Sequence, residues 1–182
     1  MKDTFYFHAI LLLLILTSFA TCKNHKDNPV DQLPPATQTG ANTFGCLVNG
    51  KVYIPKGYNG TGTPNPKKQF DIGLNGLPYF NITASQLNSD HISEGNVFIS
   101  IGNIITTGIY TYPNDFNFLI GWKNLNNCGI VAFDSTTQKW GQGEITKYDL
   151  TNGIISSTFN FKYKTLTCDT VFVTDGRFDF KL

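Results

Sequence analysis

Histidine and arginine are scarce in this sequence, and their scarcity argues against two classes of function. The 182 residues include 3 histidines. His8 and His25 lie in or just after an apolar N-terminal stretch, so a Ser-His-Asp or Cys-His site would have to use His91, which no Gly-x-Ser-x-Gly elbow accompanies. Arg177 is the one arginine, the basic residues are scattered, and the formal charge is +1. The sequence therefore predicts no catalytic residue and no nucleic-acid partner.

Motifs for binding metal ions are also missing. The chain has no Cys-x-x-Cys or His-x-x-x-His pair, and no acidic run at EF-hand spacing. We therefore predict no metal site and no cofactor. A hydrolase that uses two carboxylates stays open, because several acidic residues could meet in space. These residues are Asp71, Asp90, Glu94, Asp115, Glu144 and Asp149.

No window of 11 residues has convincing helical periodicity, whereas strand patterns recur from residue 43 to the end. Asn49-Gly50 between two apolar runs predicts a hairpin, since both turn positions of such a turn need positive φ. Residues 154–164 alternate apolar and polar side chains, as in a strand with one buried face. Roughly nine or ten strands at spacings of about 8 to 12 residues predict an all-β antiparallel sandwich, or alternatively an up-and-down barrel. We expect no substantial helix after the N-terminal stretch.

The first 22 residues are typical of an export signal. Residues 5–16 are almost wholly apolar, and Cys22 stands where a cleavage site would fall. A transmembrane anchor and an ordinary secretory signal are the alternatives, but the first needs about 20 apolar residues and the second needs no cysteine. The stretch resembles a bacterial lipoprotein signal, in which Ala20 fits the lipobox while Phe19 and Thr21 depart from it. This resemblance implies a signal peptide at 1–21 and lipidation of Cys22.

Residues 22–42 contain three prolines and few apolar side chains, so we predict a disordered tether there and a single β domain at 43–182. Within that domain, residues 43–53, 143–161, 169–171 and 174–179 resemble the ends of small Gram-negative lipoproteins that carry a domain of unknown function. The resemblance implies a lipid-anchored protein of the cell envelope, in the outer membrane, with the periplasmic and surface faces both open. It carries no catalytic residues.

Three cysteines follow Cys22 in the chain. Cys46 shares an alternating face with Phe44 and Val48, which predicts a buried thiol. Cys128 and Cys168 stand in polar surroundings at strand entrances, and an envelope protein lives where disulfides persist. We therefore predict a Cys128–Cys168 disulfide.

Aromatic residues are plentiful, with 15 Phe, 8 Tyr and 2 Trp. Most should fill the core, but four could stack on a ligand: Trp122, Trp140, Tyr110 and Tyr112. Trp140 is the best candidate for exposure, because Gln138-Lys139 and Gly141-Gln142 around it resemble a turn.

Three functions are compatible with these features. The first is a non-enzymatic envelope lipoprotein, anchored to the membrane by lipid, whose β domain binds a ligand or another envelope protein or acts structurally. The second is a glycan-binding accessory of a surface uptake system. The third is the carboxylate-dependent hydrolase.

Overall fold

The computed structural model describes residues 28–57, 64–90, 92–122, 137–164 and 169–182. Ten strands follow one short 3₁₀-helix, Pro29–Gln32. The strands are β1 (Thr43–Val48), β2 (Lys51–Tyr53), β3 (Lys67–Ile72), β4 (Pro78–Leu87), β5 (Ser93–Ile101), β6 (Gly108–Thr111), β7 (Phe116–Trp122), β8 (Gln138–Asp149), β9 (Ile154–Lys164) and β10 (Val171–Lys181).

The strands form two antiparallel sheets. One has six strands in the order β2-β1-β10-β9-β8-β6, and the other has four in the order β3-β4-β5-β7. The sheets are separate and are not closed into a barrel. The predicted all-β sandwich is therefore confirmed, and the barrel alternative is wrong.

One hydrophobic core lies between the sheets and takes residues from both. On β9 the side chains alternate between the core and solvent: Phe159, Phe161 and Tyr163 point inward, and the residues between them are exposed. Glycine makes room for these rings: a Cβ at Gly141 would lie 2.7 Å from Cε1 of Phe118. The Phe118 and Phe161 rings stack there with centroids 4.2 Å apart. The fold therefore needs glycine on β8 opposite its largest core rings.

The hairpin predicted at Asn49-Gly50 is confirmed. Asn49 and Gly50 have φ of 48° and 74° and connect β1 to β2, as the hairpin prediction requires. Asp175 has a φ of 53°, and the register between β10 and β9 shifts between Val173 and Gly176, which makes a bulge.

The segment 28–42, named the strap here, is ordered against the six-stranded sheet. Leu33 in it is buried, and a Cβ at Gly45 of β1 would lie 2.7 Å from Cδ of Pro34. The prediction of a disordered tether is therefore wrong for residues 28–42, while residues 22–27 lie outside the described residues. Low hydrophobicity misled the prediction, because hydrogen bonds to one buried carboxylate hold this segment in place.

That carboxylate belongs to Asp179 of β10, which is 1 % exposed. Its oxygens accept six hydrogen bonds, five from strap atoms and one from the Ser156 hydroxyl at 2.7 Å. The strap donors include the backbone N–H groups of Thr39 and Gly40, at 2.9 and 2.8 Å. Burial raises the pKa of Asp179, but the hydrogen bonds outweigh it and hold the pKa well below its ordinary value.

Replacing Asp179 should detach the strap. We expect Asp179→Ala to lower the free energy of unfolding by about 2–4 kcal/mol, because several buried donors lose a charged acceptor. Urea denaturation measures the loss, and Glu144→Ala, which removes an exposed carboxylate from β8 of the same sheet, is the matched control. Because the folded pKa is depressed, this stabilisation is complete above the unfolded pKa of about 3.9 and declines as the pH falls below it. An Asp179→Ala variant as stable as wild type at pH 7 would contradict this role.

Candidate functional site

The outer face of the six-stranded sheet is divided into a covered and an open half. The strap covers one half, where Asp179 and Ser156 are buried although both point away from the core. The open half lies toward the other ends of β8, β9 and β10. It presents Trp140 and Phe172, which are 46 % and 49 % exposed. Two large aromatic side chains exposed on one sheet face make this half the candidate binding surface.

Strand register brings these side chains into one row. Trp140 of β8 pairs with Lys162 of β9, and Lys162 pairs with Phe172 of β10. Neighbouring strands lie about 4.8 Å apart, so the two aromatic residues are separated by about 9–10 Å at the backbone with Lys162 between them. The next row pairs Gln142 with Asn160, and Thr174 follows two positions after Phe172.

These two rows line a shallow hollow of about 360 Å³. Its exposed side chains are Trp140, Gln142, Asn160, Lys162, Phe172 and Thr174. Among the described residues, the side chains of Gln142, Asn160 and Thr174 have no hydrogen-bond partner. Amide and hydroxyl groups of this kind can both donate to and accept from a ligand. The volume is at the lower end of the range for small-molecule sites. We call this hollow and its six side chains the aromatic platform.

Lys162 supplies the charge of the aromatic platform. Its Nζ lies 4.9 Å from the centroid of the Trp140 ring, within the range of a cation–π contact. In the part of the chain that the structure describes, no acidic residue lines the hollow; Glu144 lies on β8 beyond Gln142, and Asp175 follows Thr174 in the bulge of β10. The platform therefore combines two apolar surfaces, uncharged polar groups and one cation.

The four predicted stacking residues have different positions. Trp140 is exposed as predicted, but it lies within strand β8, so the predicted turn around it is wrong. Trp122 ends β7 of the other sheet, and its side chain lies outside the described residues. Tyr110 is buried, and its hydroxyl donates to the carbonyl of Thr106 at 2.7 Å. The structure thus places Tyr110 in the core, which leaves no ring face for a ligand.

Tyr112 is half-buried and is likewise not on the aromatic platform. Its ring packs against Phe118, with centroids 5.6 Å apart. Nζ of Lys139 lies 5.9 Å from the Tyr112 ring, and burial lowers the pKa of that lysine. Tyr112 therefore contributes to the margin of the core.

Trp140 is the one platform residue that the sequence interpretation assigned to a site; Phe172 and Lys162 are the two largest of the five that it missed. A signal for both was present. Val171 and Val173 are buried, so strand alternation requires Phe172 to point outward. Lys162 lies between two inward aromatic residues of β9. Alternation within a strand does not predict the register between strands, and it is this register that places both residues beside Trp140.

The described residues give the carboxylate hydrolase no support. Asp179 is the one buried acidic side chain among them, and its oxygens are occupied by the strap and Ser156. In the same part of the chain, no group of three or more His, Cys, Asp or Glu is placed to hold a metal ion. No helix described there is long and apolar enough to cross a membrane.

Several predicted positions are not covered by the structure. Cys22, His91, Cys128 and Cys168 lie outside the described residues. The lipidation and the disulfide therefore stay predictions. Cys46 is buried with a free thiol, as predicted, and burial raises its pKa.

Comparisons with known proteins leave the family open. No family model, curated protein or solved structure matches this chain. The resemblance to small Gram-negative lipoproteins therefore also stays a prediction.

Substitutions on the two faces of the six-stranded sheet should separate binding residues from core residues. We expect Trp140→Ala and Phe172→Ala to lower the free energy of unfolding by less than about 1 kcal/mol each, since both side chains are half-exposed. Phe161→Ala, one position from Lys162 on the inner face, should cost about 3–5 kcal/mol. Thermal or urea unfolding measures all three. A loss at Trp140 as large as that at Phe161 would mean that the tryptophan is structural.

Proposed function

We propose that this chain is a lipid-anchored envelope protein whose β domain binds a glycan on the aromatic platform. The observation that supports it best is the pair of exposed rings, Trp140 and Phe172, held in one row on adjacent strands. A rigid sheet keeps the rings in position without a ligand, so little conformational entropy is lost on binding. No catalytic role is included in the proposal.

The polar groups of the platform favour a sugar chain over other ligands. Sugar rings have apolar faces that stack on aromatic side chains, and hydroxyl edges that need hydrogen-bond partners. Gln142, Asn160 and Thr174 supply donors and acceptors next to the rings. The cores of protein–protein interfaces are depleted of charged residues, whereas Lys162 stands at the centre of this surface. A glycan has apolar ring faces for the two aromatic side chains and hydroxyl groups for the polar side chains around them.

The ordered strap changes how the domain would be held at the membrane. If Cys22 is acylated, only residues 23–27 separate it from Asn28, where the described chain begins. Six residue steps of fully extended chain span at most about 20 Å. The proposed anchor therefore holds the domain close to the bilayer, and the glycan would be one that reaches the membrane surface. Two or more acyl chains make such an anchor stable.

Binding can be tested with a panel of neutral and acidic oligosaccharides, titrated by calorimetry against the full-length protein in detergent. We expect Trp140→Ala and Phe172→Ala each to weaken binding about tenfold or more, as loss of an aromatic hot spot does. Leu74→Ala removes a fully exposed apolar side chain from the turn between β3 and β4 and should leave affinity unchanged. If no member of the panel binds, or all variants bind equally, the platform is not a glycan site.

The anchor has a separate test. Cells that express the protein with radiolabelled palmitate should label the wild type, whereas Cys22→Ala should be unlabelled and should leave the membrane fraction. Cys46→Ala is the matched control, since Cys46 is a buried core thiol and should not affect labelling. Equal labelling of wild type and Cys22→Ala would rule out the anchor.

A further inference from the structure

We propose that the ligand of the aromatic platform is an acidic glycan, whose carboxylate pairs with the ammonium group of Lys162. This inference rests on the proposed glycan function and adds the chemical class of the sugar. It follows from the position of Lys162 relative to Trp140, and from the charges of the residues around the hollow.

Lys162 occupies the place where a sugar would stack. Its Nζ lies over the Trp140 ring at 4.9 Å, so a ring that stacks on this face must move the ammonium aside. A neutral sugar loses the cation–π contact and gains at most hydrogen bonds from the ammonium to uncharged oxygens. An acidic sugar gains a charge-assisted hydrogen bond to the same ammonium. The competition at Trp140 therefore favours a ligand that carries a negative charge.

The charge around the hollow points the same way. Among the described residues, Lys162 is the one ionisable side chain in the lining of the hollow, and no described carboxylate lines it. Lys164, two positions further on the same exposed face of β9, adds a second cation at that end of the sheet. Glu144 stands beyond the amide row, opposite Thr158, which in turn pairs with Arg177. Asp175 is exposed in the bulge of β10 next to Thr174, toward the amide row, whereas Lys162 lies between the two aromatic residues. An acidic group seated over Trp140 and Phe172 is therefore nearer to Lys162 than to Asp175.

Polar neighbours would fix the orientation of such a sugar. Asn160 lies two positions before Lys162 on the same face, beside Gln142 on the next strand. Hydroxyls of the sugar can reach these amides while its carboxylate stays at Lys162. An isolated inorganic anion would use only the cation, so the arrangement is suited to a ring that carries both hydroxyls and a carboxylate.

The test compares oligomers of galacturonic acid and of galactose of matched length and linkage, which differ only in the group at C6. In calorimetric titrations of the full-length protein at low salt, we expect the acidic oligomer to bind roughly five- to tenfold tighter. Its affinity should fall as salt rises, while that of the neutral oligomer should not. Lys162→Gln should remove the preference and leave the neutral oligomer bound at least as tightly, and Lys162→Arg should retain the preference.

Lys164→Gln is the matched control, because it removes a cation from the same exposed face outside the hollow. It should retain most of the preference. Equal affinity of the two oligomers for wild type would overturn the acidic ligand and leave the glycan function standing. Binding of neither would overturn both. If Lys164→Gln reduced the preference for the acidic oligomer as much as Lys162→Gln, the attraction would be diffuse. If anionic phospholipid vesicles bound in a Lys162-dependent way and no oligomer bound, the ligand would be a lipid surface. Either outcome overturns the inference.

Discussion

The hydrogen bonds to the buried carboxylate of Asp179 decide which parts of this molecule are covered. Thr37, which donates to it at 2.6 Å, is 142 positions away in the chain. An ionised carboxylate can be buried only if donors surround it, and the strap supplies most of them. The strap in turn covers the outer face of the six-stranded sheet around Gly45. None of the described residues covers the other half of that face, which holds the aromatic platform.

Aromatic residues of this sheet lie either in the core or on the outer face, because successive side chains of a strand point to opposite sides. Rings that point inward from β9, such as Phe161, stack against rings of the opposite sheet and close over glycines of β8. Trp140, one position from Gly141 on the same strand, points outward and is half-exposed. A single strand thereby contributes both to stability and to a surface for a ligand. Substitutions at neighbouring positions should consequently affect different properties of the protein.

The contact between Lys162 and Trp140 connects the structure of the free protein to the ligand class that we propose. In the absence of ligand the ammonium covers part of the indole ring. A ligand that stacks on Trp140 would have to replace that contact. Its affinity would then depend on the difference between the free energy of its own contacts and that of the Lys162–Trp140 contact. The contact would therefore give a negatively charged ligand an advantage over a neutral one without making the charge a condition for binding. It also explains why removing the lysine should help a neutral sugar while weakening an acidic one.

The sequence by itself determined the local features: the all-β class, the Asn49-Gly50 turn and the alternation on β9. Periodicity and turn chemistry act over a few residues, so they can be read without a structure. Only the tertiary structure decided that the strap is ordered, that Tyr110 belongs to the core, and that Trp140, Lys162 and Phe172 form one row. These facts depend on strand register and on contacts between distant residues, for which hydrophobic patterning carries no signal.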